Sequence, residues 1–213
     1  ALPNFNVTLN NQTINVPTVY PINSWIRITG TVNFNANVTM SRCTVLMDPG
    51  AILNINNSTF TMTADASGNR SLIFGCGAMW QAIRVNTGAA VVFPYSDIIN
   101  GIQGLVFAQG FLPNLTEIKN CSFSANSVAI TAQNVNNFSF FSFSGNTFTG
   151  TSPFNPMIPP FVAGSPLNAF LLNSVTGTIG TSGSQNLIRN MSTGIRATNS
   201  NLTVNNCTFA SIT

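Results

Sequence analysis

Residues 118–123 read Ile118-Lys119-Asn120-Cys121-Ser122-Phe123, and residues 143–148 repeat this order of residue types as Phe143-Ser144-Gly145-Asn146-Thr147-Phe148. Further copies of the pattern end at Phe60, Ile98 and Phe209. The closing residues at positions 98, 123 and 148 differ by 25 in residue number each time. A fixed period of this size is the signature of a solenoid, in which every repeat buries its apolar face against its neighbours.

The repeats consist of short strands rather than helices. Runs of β-branched and aromatic residues are bounded by Gly, Asn and Pro, and no segment shows a sustained helical period. A second apolar run follows each closing residue at an offset of seven: Leu105 follows Ile98, and Ile130 follows Phe123. Turn-forming residues lie between the two runs. We therefore predict an all-β chain, folded over residues 1–213 as a single right-handed parallel β-helix with about 25 residues per rung.

Two intervals depart from this period. The residue number rises by 38 from Phe60 to Ile98, which is 25 plus 13, and by 40 from Phe148 to Ile188, which is 25 plus 15. Extra residues in one repeat map to loops, which often carry function. The sequence therefore predicts loop insertions near residues 63–76 and 150–168.

The two ends of the chain differ from its middle. Residues 1–50 contain strand-like runs in a poorer register, so we expect irregular N-terminal rungs before the regular rungs of residues 51–213. The chain begins at Ala1 without a Met, and it stops four residues after Phe209, within a rung. An uncapped end exposes strand edges. We expect a piece of a longer chain, or an end that docks on another surface.

The second insertion combines prolines with apolar side chains, and proline keeps it out of any central strand. Its apolar residues either fold back over the wall of the solenoid or contact another protein, and both alternatives stay open. The candidate residues for such a partner interface are Phe154, Met157, Ile158 and Phe161.

The composition favours an extracellular or cell-surface protein. Only 5% of the residues are charged, against about a quarter in an average protein, and Asn, Ser and Thr fill the polar positions. Uncharged side chains stack without like-charge repulsion, so we expect structural columns of Asn at the corners. The net charge of +3 includes no basic run, which argues against nucleic acid as a partner. No apolar stretch reaches the roughly 18 residues of a membrane span, so no membrane insertion is expected.

The four cysteines form two possible pairs with different expected geometry. Cys121 and Cys207 both lie two residues before a closing Phe, so they share a column three rungs apart. About 14 Å would separate them, which is beyond the reach of a disulfide. Cys43 and Cys76 flank the first regular rung and are a candidate disulfide, with two free thiols as the alternative.

The sequence offers few groups for catalysis. It contains no histidine and no Cys-x-x-Cys, which removes a catalytic triad and the usual metal sites from consideration. Glycoside hydrolysis needs two carboxylates at a set separation. The acidic residues are Asp48, Asp65, Asp97 and Glu117, and their positions within the repeats do not suggest such a pair. We predict no catalytic, cofactor-binding or metal-binding residues.

Exposed aromatic rings combine an apolar face with a polar edge and can stack on sugar rings. The candidate glycan-stacking residues are Trp25, Trp80 and Tyr95. For Trp80, at the start of a predicted strand, a structural anchor is the favoured alternative.

One segment of the chain resembles a known family. Residues 76–85 (CGAMWQAIRV), followed by the rungs that end at Ile98 and Phe123, resemble the β-helix segments of large secreted cell-surface proteins of Bacteroidota. The resemblance covers roughly residues 43–148 and departs at Ala82, where the family usually has Gly. It implies export by the type IX system and roles in surface adhesion, gliding or glycan contact. It implies no catalytic residues.

These observations predict a non-catalytic structural and adhesive module of a large extracellular protein. Its expected partners are further copies of itself or other subunits of the same surface assembly, as an oligomer or filament. The alternative is a carbohydrate-binding or polysaccharide-degrading β-helix domain, with glycans as ligands.

Overall fold

The closing residues of successive repeats are register partners in parallel strands. Ile98 pairs with Phe123, Phe123 with Phe148, and Phe148 with Ile188. This computed structural model describes residues 5–150 and 167–212, and the strand pairings in those residues are parallel throughout. The chain coils as a right-handed parallel β-helix, which confirms the predicted fold.

The described residues form 26 strands and one turn of 3-10 helix (Pro113–Leu115). The first thirteen strands are β1 (Val7–Asn10), β2 (Thr13–Ile14), β3 (Thr18–Tyr20), β4 (Trp25–Thr29), β5 (Thr31–Phe34), β6 (Val38–Ser41), β7 (Thr44–Met47), β8 (Ile52–Ile55), β9 (Thr59–Thr63), β10 (Ser71–Gly75), β11 (Trp80–Val85), β12 (Ala90–Pro94) and β13 (Ser96–Ile99). The others are β14 (Gly101–Phe107), β15 (Glu117–Lys119), β16 (Ser122–Ser124), β17 (Val128–Gln133), β18 (Asn136–Ser139), β19 (Ser142–Ser144), β20 (Thr147–Thr149), β21 (Asn168–Asn173), β22 (Thr176–Ile179), β23 (Asn186–Met191), β24 (Thr193–Thr198), β25 (Asn201–Val204) and β26 (Cys207–Ile212).

The strands stack into four sheets that form the walls of the coil. Sheet A contains β1, β4, β7, β10, β13, β16, β20, β23 and β26, and sheet B contains β2, β5, β8, β11, β14, β17, β21 and β24. Sheet C contains β3, β6, β9, β12, β15 and β19, and sheet D contains β18, β22 and β25. Within the described ranges, no helix has the length and apolar character that crossing a membrane requires.

The N-terminal rungs are shorter than the others, and this difference explains their apparent irregularity. Val7 pairs with Ile26, and Ile26 pairs with Val45, so the residue number rises by only 19 in each of these turns. From Ile73 to its partner Ile98 the residue number rises by 25. The early rungs therefore differ from the expectation in length, whereas their hydrogen-bonded register is continuous with the rest of the coil.

The interval that predicts the first insertion starts from a residue in a different column. Phe60 lies in β9 of sheet C, where it pairs with Val38 and Val91, whereas Ile98 lies in sheet A. Corners between different walls use the same alternation of apolar and small polar residues, so the pattern alone does not tell them apart. The true interval runs from Val45 to Ile73, a rise of 28 in residue number, and contains a loop at 64–70.

The second long interval joins direct neighbours, because Phe148 pairs with Ile188 although their residue numbers differ by 40. Most of the predicted insertion at 150–168 lies outside the described residues. The candidate interface residues Phe154, Met157, Ile158 and Phe161 lie there too, so their proposed role stays a prediction.

The core is one cluster of buried apolar side chains inside the coil, with phenylalanine rings packed along it, because alternate side chains of each strand point inward. The Phe60 ring meets Phe34 and Phe93 edge-to-face, with ring centroids 5.3 and 5.2 Å away. Phe123 and Phe148 stack with centroids 4.8 Å apart. These distances are typical of favourable aromatic pairs, so the core continues from rung to rung without a break.

Asparagines stack along the outside of one corner, as the sequence predicts. Asn15, Asn35, Asn56 and Asn86 occupy four successive rungs, and the amide nitrogen of each of the last three donates to the amide oxygen of the preceding rung. The three hydrogen bonds measure 3.1, 3.0 and 2.6 Å. This ladder stabilises the stacking without any charged group.

Candidate functional site

The three aromatic residues predicted to stack on sugars differ in how far their side chains are exposed. Trp80 is fully buried, and its indole Nε1 donates a 2.8 Å hydrogen bond to the carbonyl oxygen of Ile99. This burial rules out sugar stacking by Trp80 and confirms the favoured alternative, a core anchor. Trp25 is half-buried, with its ring edge-on to Phe5. Tyr95 is 46% exposed and presents its side chain at the surface.

Tyr95 has an unusual backbone. It lies at the corner between β12 and β13 with a φ of +56°, a left-handed conformation that bulky side chains seldom adopt. The equivalent corners of the next two rungs carry Asn120 and Gly145, which adopt it more easily. The N–H of Tyr95 donates to the carbonyl oxygen of Lys119 at 2.8 Å, which fixes the corner. Backbone preference does not explain a tyrosine here.

A shallow depression of about 660 Å³ lies beside Tyr95. The guanidinium of Arg70 lines it and donates to Asp97 Oδ1 and to the carbonyl oxygen of Asn120, both at 2.7 Å. Small polar residues complete the lining: Ser122, Thr147 and Ser184. We call this site the Tyr95 depression. An aromatic ring, a fixed arginine–aspartate pair and several hydroxyl groups are the groups that bind an uncharged sugar.

Three of the four acidic side chains are paired with arginines. The pairs are Arg27–Asp48 at 2.9 Å, Arg42–Asp65 at 3.0 Å and Arg70–Asp97 at 2.7 Å. The pKa of Asp65 is lowered, chiefly by the hydrogen bond from the side chain of Asn69, with further contributions from backbone N–H groups and from Arg42. A general acid needs a raised pKa, so the lowered pKa of Asp65 is the opposite of what that role requires.

Asp97 and Glu117 do not lie in the same sheet. Asp97 lies on β13 of sheet A, and Glu117 lies on β15 of sheet C, so they belong to different walls. Among the residues that the structure describes, no group of three or more His, Cys, Asp or Glu side chains could hold a metal ion.

The predicted Cys43–Cys76 disulfide is not formed, since both thiols are free. The backbone N–H of Cys43 donates to Ser71 Oγ at 3.1 Å, so these residues are neighbours on adjacent rungs. Cys76 lies five residues beyond Ser71, or about 16 Å along an extended strand. That separation exceeds the reach of a disulfide, which corrects the prediction.

Cys121 and Cys207 share one column, as predicted. Asn146 and Asn186 occupy the two rungs between them, linked by hydrogen bonds from Cys121 N to Asn146 Oδ1 and from Asn146 N to Asn186 Oδ1. Burial raises the pKa of the Cys121 thiol to about 12. A thiol with such a pKa is protonated at neutral pH and is not a nucleophile.

The outer face of sheet B carries a second surface feature, which sequence reasoning missed. Two adjoining depressions of about 550 and 490 Å³ share Gln103, Thr131 and Gln133. Arg84 lines one of them, and Arg196 lines the other. We call this surface the sheet B strip, and its polar side chains include Arg84, Gln103, Thr131, Gln133, Asn173 and Arg196.

Part of the strip was accessible from the sequence. Ile195 follows Ile188 at the seven-residue offset, so Arg196 could have been placed beside the second strand of its rung. The four residues 76–79 between β10 and β11 shift Arg84 out of the same offset. The seven-residue offset in the sequence therefore does not place the two arginines in one column.

Comparison with protein-family models, with curated proteins and with solved structures finds no match to this chain. Its function must be inferred from the residues themselves.

Proposed function

We propose that this chain is a non-catalytic structural and adhesive module of a large extracellular cell-surface protein. The observation that carries the proposal is the unbroken nine-stranded sheet A. Eight steps between its strands, at about 4.8 Å each, give a wall about 38 Å long. Because every rung is hydrogen-bonded to the next, the coil is a stiff spacer that presents surface side chains at fixed positions.

The distribution of charge supports a structural role. The three arginine–aspartate pairs use most of the acidic side chains of the chain. Arg27, for example, contacts Asp48 through both its Nε and Nη2 atoms, across 21 residues of sequence.

The resemblance of residues 43–148 to secreted proteins of Bacteroidota supports a cell-surface location and export by the type IX system.

An exposed apolar patch supports association with further copies or with other subunits. Leu115 is 55% exposed and Phe141 is 70% exposed. The backbone N–H of Phe141 donates to the carbonyl oxygen of Pro113 at 2.9 Å, which keeps the two segments together. Sedimentation at increasing concentration should show an oligomer that the substitution Phe141→Ser weakens. A monomer at all concentrations would remove the self-assembly part of the proposal.

An attachment assay tests the adhesive role. Beads coated with the folded chain should be retained under flow on bacterial cells and on polysaccharide films, whereas beads coated with the heat-unfolded chain should wash off. Equal retention of both kinds of bead would contradict the proposal.

Binding of an uncharged carbohydrate is a second candidate function, and the Tyr95 depression favours it. A glycan array probed with the wild-type chain should give signals that Tyr95→Ala removes and Tyr95→Phe retains, because Phe keeps the stacking ring. Signals that survive Tyr95→Ala would place carbohydrate binding elsewhere.

A further inference from the structure

Two arginines lie in one column on the outer face of sheet B. Continuous register runs from Arg84 of β11 through Val106, Thr131 and Leu171 to Arg196 of β24. Four strand spacings of about 4.8 Å place the ends of this column about 19 Å apart. Neither arginine takes part in an ion pair with any described residue, since the three ion pairs involve other arginines. Both guanidinium groups are therefore available to an external anion.

The wall around them carries no negative charge. None of the eight strands of sheet B contains Asp or Glu. Three of the four acidic residues of the chain are paired elsewhere, and Glu117 lies in sheet C. The face of sheet B is thus uniformly uncharged or positive, which favours an anionic ligand over a neutral or cationic one.

Uncharged hydrogen-bonding groups flank the column between the arginines on both sides. Gln103, Gln133 and Asn173 each offer a carboxamide along the strip, and Gln133 and Asn173 are direct register partners. The hydroxyl oxygen of Thr131, midway along the column, is shielded from solvent and has no hydrogen-bond partner among the described residues. Val106 and Leu171 alternate with these polar groups and offer small apolar contacts.

We propose that the sheet B strip binds an acidic polysaccharide whose chain lies along the axis of the coil. The arginines bind carboxylate groups of the polymer, because a guanidinium presents paired donors that match a carboxylate. The carboxamides bind sugar hydroxyls, and Val106 and Leu171 contact the C–H faces of the rings. This inference rests on the adhesive part of the proposed function and names the class of its ligand.

Other extended anions fit the strip less well. Nucleic acid carries a charge at every phosphate and is bound through dense basic patches, whereas this strip offers two arginines about 19 Å apart. Base stacking needs exposed aromatic side chains, and Phe107, the aromatic residue that lines the strip, is buried. A polymer with spaced carboxylates and many hydroxyls matches both the charge and the carboxamides.

Binding of polygalacturonate oligomers, measured by isothermal titration calorimetry, tests the proposal. The wild-type chain should bind long oligomers more tightly than dimers, because only long oligomers reach both arginines. Fully methyl-esterified oligomers, which lack the charge, should bind more weakly than the acid form of the same length. Affinity should fall as salt concentration rises, because the arginines are at the surface.

Substitutions locate the site. Arg84→Gln and Arg196→Gln should each weaken binding by about twofold to fivefold, the range expected for one surface ion pair. Arg189→Gln is the matched control, because Arg189 is an exposed arginine on β23 of sheet A and lies outside the strip. Circular dichroism and thermal unfolding should show that all three variants keep the wild-type fold.

The proposal is overturned if the wild-type chain does not bind polygalacturonate, if the methyl ester binds equally well, or if Arg189→Gln weakens binding as much as Arg84→Gln. These outcomes are distinct from failure of the proposed function. Retention of coated beads on cells without polygalacturonate binding would overturn this inference alone. Cleavage of bound polygalacturonate, seen as new reducing ends, would overturn the non-catalytic function and leave the binding strip in place.

Discussion

Asn146 Oδ1 accepts a 2.9 Å hydrogen bond from the backbone N–H of Cys121 on the adjoining rung. The amide nitrogen of Asn146 donates to the carbonyl oxygen of Ile118 at 2.8 Å and to Asn186 Oδ1 at 2.9 Å. Asn146 is fully buried, so these bonds replace water for groups that would otherwise be unsatisfied. One side chain therefore holds the corner of three successive rungs together.

Replacing this side chain should destabilise the coil. Asn146→Ala leaves the N–H of Cys121 buried without a partner and removes the bonds to Ile118 and Asn186, at a cost of about 2–4 kcal/mol in the free energy of unfolding. Asn54→Ala is the control, because Asn54 donates one bond, to Asn33 Oδ1, from a partly exposed ladder. Urea unfolding should show a loss of about 0.5–1 kcal/mol for the control. Equal losses in both variants would contradict the role of the buried corner.

The stacked phenylalanines of the core give a second prediction. Phe148 is fully buried and stacks on Phe123, so Phe148→Ala should cost about 3–5 kcal/mol by removing contacts and leaving a cavity. Phe141→Ala, at a ring that is 70% exposed, should change stability by less than about 0.5 kcal/mol in the monomer. Denaturant midpoints at low protein concentration measure both. A small effect at Phe148 would mean that the rungs do not share one packed core.

The sequence predicts the fold through its period, and it fails where different corners look alike. Ile98, Phe123 and Phe148 reveal the regular rung because they occupy equivalent positions in equal turns. Phe60 closes the same kind of pattern at a different corner, which only the hydrogen-bonded register shows. The shorter length of the N-terminal rungs cannot be seen in the sequence either. A single early copy of the pattern gives no second interval to measure.

The candidate sites were predicted less completely than the fold. The residue type alone points to Tyr95, but its left-handed backbone and the approach of Arg70 come from contacts across a rung. The alignment of Arg84 with Arg196 depends on loop lengths in the turns between them, so their separation in sequence does not indicate it. The position of Trp80 at the start of a strand favours burial. Which side chains of that strand face the core is decided by the register.

The lowered pKa of Asp65 predicts how stability depends on acid pH. Because the pKa of the folded state lies below the ordinary value, the ionised carboxylate stabilises the fold above that ordinary value, and the contribution disappears as pH falls through the folded-state pKa. NMR titration of the carboxyl carbon should show that Asn69→Ala raises this pKa, and that Arg42→Gln raises it less. The side-chain bond from Asn69 is the larger cause. A larger rise in the pKa of Asp65 in Arg42→Gln than in Asn69→Ala would contradict this order of causes.

The cysteines should differ in reactivity. Cys76 is exposed, whereas Cys43 and Cys121 are buried and burial raises the pKa of both thiols. Brief treatment of the folded chain with iodoacetamide at neutral pH, followed by mass spectrometry, should label Cys76 first and leave Cys121 unlabelled. Labelling of all four in urea without reductant confirms that none is bridged. Protection of Cys43 and Cys76 together in urea would restore the disulfide that the structure rules out.

The most direct test of the adhesive, non-catalytic role combines retention and product analysis on one film of acidic polysaccharide. Beads coated with the folded chain are held under flow on the film, and the released sugars are measured after prolonged contact. The account predicts that the beads stay attached, that the substitutions Arg84→Gln and Arg196→Gln together release them, and that no new reducing ends appear. A film that is cut into oligosaccharides would contradict the non-catalytic role, and beads that wash off at once would contradict adhesion to acidic polysaccharide.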